Sequence, residues 1–255
     1  MTIAILEAVN IVKRYGKFIA VNGITLSVMP HTVHSVIGPN GAGKTTLFHA
    51  LTGAVPINEG SITVDGVVVS HLPGYKRVLK GLTRSFQVTS LFPNLSVHEN
   101  LRLAAQGRNP VQALHLWRSA ESLTAAGETV DILLKRLNLS AVATRAAGEL
   151  SHGQQRRLEV GMAMAGQPKV ILLDEPTSGM GIEDIGDMKR LIHDLREEHT
   201  VVLIEHNMDI VMDISDTVTV MQLGQVLVEG KPDEIRNDER VRRAYLGSMT
   251  TEDSA

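Results

Sequence analysis

The stretch "SVIGPNGAGKTTLFHALTG", residues 35–53, constrains the fold more than any other part of this 255-residue chain. A short β-branched run ends at Ile37, the eight residues GPNGAGKT follow from Gly38 to Thr45, and helical spacing begins at Lys44. This is the complete phosphate-binding loop pattern in its required place between a strand and a helix. The physics needs these residue types. Gly41 and Gly43 carry no side chains, so backbone N–H groups can close around phosphate oxygens, and the following helix N-terminus adds a favourable dipole. Lys44 reaches toward the β- and γ-phosphates, and the Thr45 hydroxyl is placed to ligate Mg²⁺. Nucleotide binding is the expectation, on an α/β fold.

The rest of the chain divides around this loop. "ILEAVNIVKRY", "FIAVNGITLSV", "TVHSVIG" and "SITVDGVVV" alternate in the manner of strands, and Asp65-Gly66 is a strong two-residue hairpin turn. From about Pro93 the spacing becomes helical, in "SVHENLRLAAQG" and "ESLTAAGETVDILLKRLNL", which predicts a helical insertion. After Pro168, "VILLDEP" and "TVVLIEH" read as parallel strands buried on both faces, joined by the helix "IEDIGDMKRLIHDLREEH" into a β-α-β unit. The tail "KPDEIRNDERVRRAYLGSMTTEDSA" reads as one charged helix with a polar end.

Bulk composition closes off several classes. Formal net charge is −3, so no bulk electrostatic field favours a nucleic-acid partner. The chain has no cysteine, which removes disulfides, thiolate metal sites and cysteine nucleophiles. No apolar run reaches the roughly 18 to 20 residues of a membrane span, and Glu7 interrupts the N-terminal stretch where a signal peptide is apolar. A soluble, cytosolic chain is expected, reaching a membrane only through partners.

Three further places carry chemistry. Asp174 ends "VILLDEP", where a carboxylate suits a water-bridged Mg²⁺, and Glu175 beside it suits polarisation of an attacking water. His206 closes "TVVLIEH" on the same rim, where a neutral imidazole can bond a γ-phosphate oxygen. Gln87, in "TRSFQVTSLF", stands where strands give way to helices and suits contact with Mg²⁺ and water. The turn "ELSHGQ" has the form of a capping box, Ser151 with Gln154 three residues on, and its helix N-terminus also suits an anion.

The ordered series "GPNGAGKTT", "SFQ", "LSHGQ", "VILLDEP" and "LIEH" resembles the ATP-binding subunit of an ABC transporter over nearly the whole chain. The resemblance implies a P-loop NTPase fold of ABC-cassette type, with a mixed sheet core, an antiparallel β subdomain and a helical subdomain. It divides the chain as a single ATP-binding domain: residues 1–87 and 161–230 form the catalytic core with the β subdomain, 88–160 the helical subdomain, and 231–255 the C-terminal helix and tail. By position, Tyr15 stacks on adenine, and Gly38, Pro39, Asn40, Gly41, Ala42, Gly43, Lys44, Thr45 and Thr46 wrap the phosphates. Thr45, Gln87 and Asp174 hold Mg²⁺, Glu175 is the general base, His206 contacts the γ-phosphate, and Gln87 senses metal and water. Ser151, His152, Gly153 and Gln154 would face ATP bound by a second cassette, homologous or identical.

A finer resemblance is to importers of branched-chain and other hydrophobic amino acids, and to the related urea importers, through "TRSFQVTSLFPNLSVHENL", "LSHGQQRRLEVGMAMA", "LIEHNMDIVMDISD" and "AYLG". It implies two transmembrane permease subunits docking on the segment after Gln87 through Asn100. A periplasmic solute-binding protein would act indirectly, with the cassette peripheral on the cytoplasmic face of the inner membrane. Two residues depart from the wider pattern: His152 replaces a glycine, a form seen in this subclass, and Gly181 stands where many cassettes carry an aspartate between the two sites. DNA-repair ATPases of this kind carry a long coiled-coil insertion, and translation-associated ones two cassettes in one chain. A small-metabolite kinase leaves the signature and His206 unexplained, and Glu175 argues against a cassette that only binds.

Overall fold

The computed structural model describes residues 3–85, 91–107 and 120–252. In chain order the strands are β1 (Leu6–Tyr15), β2 (Phe18–Val28), β3 (Val33–Ile37), β4 (Glu59–Val64), β5 (Val67–Val68), β6 (Leu82–Arg84), β7 (Val170–Asp174), β8 (Thr200–Ile204), β9 (Thr217–Gln222) and β10 (Gln225–Gly230). The helices are α1 (Lys44–Thr52), α2 (Gly74–Val78), α3 (Val97–Gln106), α4 (Ala120–Arg136), α5 (His152–Ala165), α6 (Ile182–Leu195), α7 (Met208–Ile214), α8 (Pro232–Asn237) and α9 (Glu239–Glu252).

The chain forms two compact units. The first holds residues 1–83, 169–175 and 192–255, and the second 84–168 and 176–191. The division expected from the resemblance instead counts 84–87, 161–168 and 176–191 with the core and sets 231–255 apart.

In the first unit, β2-β1-β4-β5 make an antiparallel sheet, and β10-β9-β3-β8-β7-β6 make a mixed one among the described residues. β3 runs parallel to both β8 and β9, and β7 parallel to β8. Every residue of β3, β7 and β8 is buried, as continuous apolar runs on a doubly covered sheet require. Register places Val36 opposite Ile204, and Ile204 opposite Asp174. The C-terminal ends of three adjacent parallel strands therefore lie side by side, the place where open α/β sheets hold ligands. The β4–β5 turn is the expected hairpin, with Asp65 and Gly66 both at positive φ. The β9–β10 hairpin was not among the expected strands, and its turn is Leu223-Gly224, both at positive φ.

The tail is two helices where one was expected. Asp238 has extended backbone, φ −77° and ψ 120°, and its carboxylate accepts from the Arg240 N–H at 2.7 Å, which starts α9 afresh.

The second unit is mainly helical. α3 begins at Ser96, whose side chain accepts from Glu99 N–H, and α5 at Ser151. Leu101, Val130, Leu133 and Leu158 are buried in it. Asn100 is fully buried and organises the turn before α3: its Oδ1 accepts from Phe92 N–H at 2.8 Å, and its amide donates to the carbonyls of Phe92, Leu95 and Ser96. Phe92 and Leu95 stay exposed on that turn.

Candidate functional site

The phosphate loop leaves β3 at Gly38 and enters α1 at Lys44. Two glycines have no substitute there. A Cβ on Gly38, φ +149°, would sit 2.1 Å from the Met221 carbonyl oxygen, and one on Gly43, φ +98°, 2.4 Å from that of Ala20. The β9–β10 hairpin closes against the loop, with Gly224 N–H donating to the Ala42 carbonyl at 3.0 Å. Asn40 and Thr45 are exposed, Pro39 and Thr46 half-buried, and Ala42 buried.

Lys44 is buried, and its ammonium donates to the Gly38 carbonyl at 2.6 Å and to that of Pro39 at 3.0 Å. Burial lowers its pKa from the ordinary lysine value, while the negative charges of Glu175 and then Asp174 oppose that shift. Their influence puts both carboxylates within electrostatic reach of the loop.

Asp174 is the last, buried residue of β7. Glu175 follows at φ +49°, a left-handed conformation that is uncommon for a side chain without special need. Its N–H donates to the Ile204 carbonyl at 2.9 Å, so β8 fixes the turn. His206 Nε2 lies 2.6 Å from Glu175 Oε1, and the His206 N–H donates to buried Glu205 Oε2 at 3.0 Å. With Glu175 ionised, Nε2 carries the proton of that bond. The rim thus brings Lys44, Asp174, Glu175 and His206 into one constellation in a single unit.

Tyr15 ends β1 exposed, opposite Phe18 in the hairpin, with the Lys13 ammonium 4.9 Å from its ring centroid. Gln87 lies outside the described residues.

In the second unit the Ser151 side chain accepts from Gln154 N–H at 3.3 Å, and Gln154 Oε1 accepts from Ser151 N–H at 3.1 Å. This is the capping box expected from "ELSHGQ". Ser151 and His152 are exposed, and Gly153 is buried. A Cβ on Gly153 would meet the Asp184 carboxylate at 2.3 Å, so α6 packs against the turn of α5. Arg157 Nη1 donates to Asp184 at 3.0 Å and to Asp187 at 3.2 Å, balancing the carboxylate beside Gly153. Gly181 is exposed, and a side chain there meets open space.

Sequence reasoning missed Glu205, Asn100 and the Arg157–Asp184–Asp187 cluster. A charged residue next to an apolar strand signals no more than an exit to solvent, and the partners of the others are distant in sequence.

The family model described as "ABC transporter" matches residues 21–178. The chain belongs to the ABC transporter family. It is an ATPase cassette of that family. A second model, "Branched-chain amino acid ATP-binding cassette transporter", matches residues 225–249, which span β10 to α9. The cassette is 42% identical over 254 residues to the high-affinity branched-chain amino acid transport ATP-binding protein BraF of Pseudomonas aeruginosa, covering 97% of this chain and 99% of the relative. It is 39% identical to the corresponding protein LivG of Escherichia coli, with coverage of 97% and 99%. Among solved structures, the ADP conformation of an ATP-binding cassette of an ABC transporter matches with a TM-score of 0.84 and 32% identity, covering 96% of this chain and 100% of that one.

Proposed function

We propose that this cassette powers the import of branched-chain amino acids, working as one of a pair on two permease subunits at the cytoplasmic face of the plasma membrane. A periplasmic solute-binding protein would deliver the solute. The solute assignment rests on the likeness to BraF and LivG and on the branched-chain model over residues 225–249. Among the described residues no helix is long and apolar enough to cross a membrane, so a permease is the part that spans. The exposed Phe92 and Leu95, on the turn that Asn100 holds rigid, suit docking of an apolar permease segment.

The observation that carries the hydrolytic reading is the 2.6 Å bond between Glu175 and His206 beside the phosphate loop. In this reading Glu175 is the general base that takes a proton from the attacking water, and the His206 Nε2–H, which rests on Glu175, turns to the γ-phosphate when nucleotide enters. Lys44, which rests on the Gly38 and Pro39 carbonyls, moves to the β- and γ-phosphates when nucleotide enters. Tyr15 stacks on adenine, and the N–H groups from Gly38 to Thr46 cradle the phosphates. The donor set fits Mg²⁺: a hydroxyl on exposed Thr45, the carboxylate of Asp174, and Gln87, all hard oxygen ligands. The ion neutralises charge on the phosphates when bound. Ser151 and its neighbours to Gln154 complete the site of the opposing cassette.

Glu175→Gln tests this reading. The variant is expected to bind ATP with the parent's affinity, to lose ATP turnover by about 100-fold or more, and to accumulate a nucleotide-trapped dimer on size exclusion. Parent-rate hydrolysis without a trapped dimer would remove Glu175 as the base. Copurification with the permease subunits, followed by titration of their binding protein with leucine, isoleucine, valine and urea, tests the solute.

A further inference from the structure

Lys13 and Tyr15 stand two residues apart on β1, so their side chains leave the strand on the same face. They are treated differently there. Tyr15 is 47% exposed, as a ring that offers a face to a ligand must be, whereas Lys13 is only 8% exposed, which is rare for a lysine unless a partner holds it. The Lys13 ammonium donates to the Pro56 carbonyl at 2.8 Å and lies 4.9 Å from the centroid of the Tyr15 ring. At that separation a cation is drawn to the negative face of the ring. One face of Tyr15 is thus taken by the cation, which leaves the other for a planar ligand.

Pro56 lies in the segment that returns from α1 to β4, and this segment is tied to the end of β1. Asn58 N–H donates to the Val12 carbonyl at 2.8 Å, and Arg14 N–H to Asn58 Oδ1 at 2.7 Å. Those two bonds fix the backbone; the bond from Lys13 also reaches the ring. Since the phosphate loop enters α1, the anchor of Lys13 is the continuation of the helix that serves the phosphates.

We propose that Lys13 is a positioning residue for the base of the nucleotide: its ammonium, anchored on the Pro56 carbonyl, holds the Tyr15 ring in the orientation that stacks adenine. The proposal rests on the reading of Tyr15 as the adenine platform. A ring at an exposed strand end otherwise moves among rotamers, and binding must then select one at a cost in affinity. In the same reading the phosphates are held by the loop from Gly38 to Thr46, so Lys13 acts on the base alone.

Lys13→Met removes the charge and keeps an apolar stem, Lys13→Gln removes the charge and keeps a donor for Pro56, and Lys13→Arg keeps both cation and donors. Each is made in the full chain, alone and with Tyr15→Ala, checked by thermal melting, and titrated calorimetrically with Mg·ATP and with magnesium tripolyphosphate, which has the phosphates and no base. Lys13→Met and Lys13→Gln are expected to raise the Kd for ATP about twofold to fivefold, the worth of one cation–π contact, and to leave that for tripolyphosphate at the parent value. Lys13→Arg is expected to recover most of the loss. In the Tyr15→Ala background the same changes are expected to add nothing, as for two residues that act as one. Parent affinity for ATP in a folded, uncharged Lys13 variant would overturn the proposal. So would equal losses for ATP and tripolyphosphate, which would make Lys13 a support of the phosphate helix, or the same loss with and without the Tyr15 ring. If Tyr15→Ala itself binds ATP as the parent does, the reading of Tyr15 falls and the proposal with it. That result is distinct from a Tyr15→Ala variant that binds weakly beside an uncharged Lys13 variant that binds normally, where the proposal alone falls.

Discussion

His34 shows what single residues do beneath the site. It lies on β3, 2% exposed, and its Nε2 is 2.7 Å from Thr219 Oγ1, while the Thr219 hydroxyl donates to Glu229 at 2.6 Å. The single hydroxyl proton is thus spent on the carboxylate, so His34 must donate from Nε2. Burial lowers its pKa from 6.5 to about 4. The unfolded chain binds this proton first, so the contribution of His34 to stability is complete above pH 6.5 and lost as pH falls toward 4. That loss amounts to about 3 kcal/mol at about 1.4 kcal/mol per unit. His34→Gln is expected to flatten this limb in urea melts between pH 7 and 4; a parent and variant with parallel profiles would contradict it. None of this was legible in the sequence, where His34 is one histidine among ten. Lys44, Asp174 and Glu175 stood out as candidates because local motifs mark them, whereas His34 gets its partners from β9 and β10, some 185 residues on.

At the scale of elements, the sequence spoke most clearly where the signal is local. The helix after GPNGAGKT, the Asp65-Gly66 hairpin and the Ser151 capping box all stand where turn and cap chemistry put them. It was silent where one element is finished by another. Arg77 on α2 is 1% exposed and spends its guanidinium on four carbonyls: Ala50 at 2.7 Å and Leu51 at 2.6 Å in α1, Ser70 at 2.8 Å and Leu72 at 2.9 Å. It is a C-terminal cap for the phosphate-loop helix, supplied from outside that helix. Carbonyls are the same at every residue, so no side-chain pattern announces such a partner. Arg77→Met leaves several buried acceptors without donors and is expected to destabilise by about 2 to 4 kcal/mol, read as a lower urea midpoint. Arg77→Lys should recover a part of this, since it can serve fewer carbonyls at once. A Met variant as stable as the parent would remove Arg77 as the cap.

For the whole molecule, the decisive fact is that the nucleotide loop and the signature turn belong to different compact units of one chain. In the proposed pair, each turn serves ATP held by the other cassette. Ser151→Arg is therefore expected to leave ATP binding by the isolated monomer within about twofold of the parent while abolishing hydrolysis in the assembled pair. Loss of monomer binding would mean that the turn serves its own chain. The solute was legible only through likeness, because in the proposed complex the residues that choose it lie in other polypeptides. The interleaving of the units also sets an order of events during synthesis. β3 and its loop are made early, yet β3 pairs with β8 and β9, Val33 with Val201, 168 residues later. At bacterial and eukaryotic translation rates of about 5 to 20 residues per second, the phosphate loop spends roughly ten to thirty seconds beside a strand without its sheet neighbours. The helical unit emerges whole within that interval. In the proposed pair, the turn that serves the partner is thus synthesised whole before the phosphate loop of the same chain has its sheet neighbours.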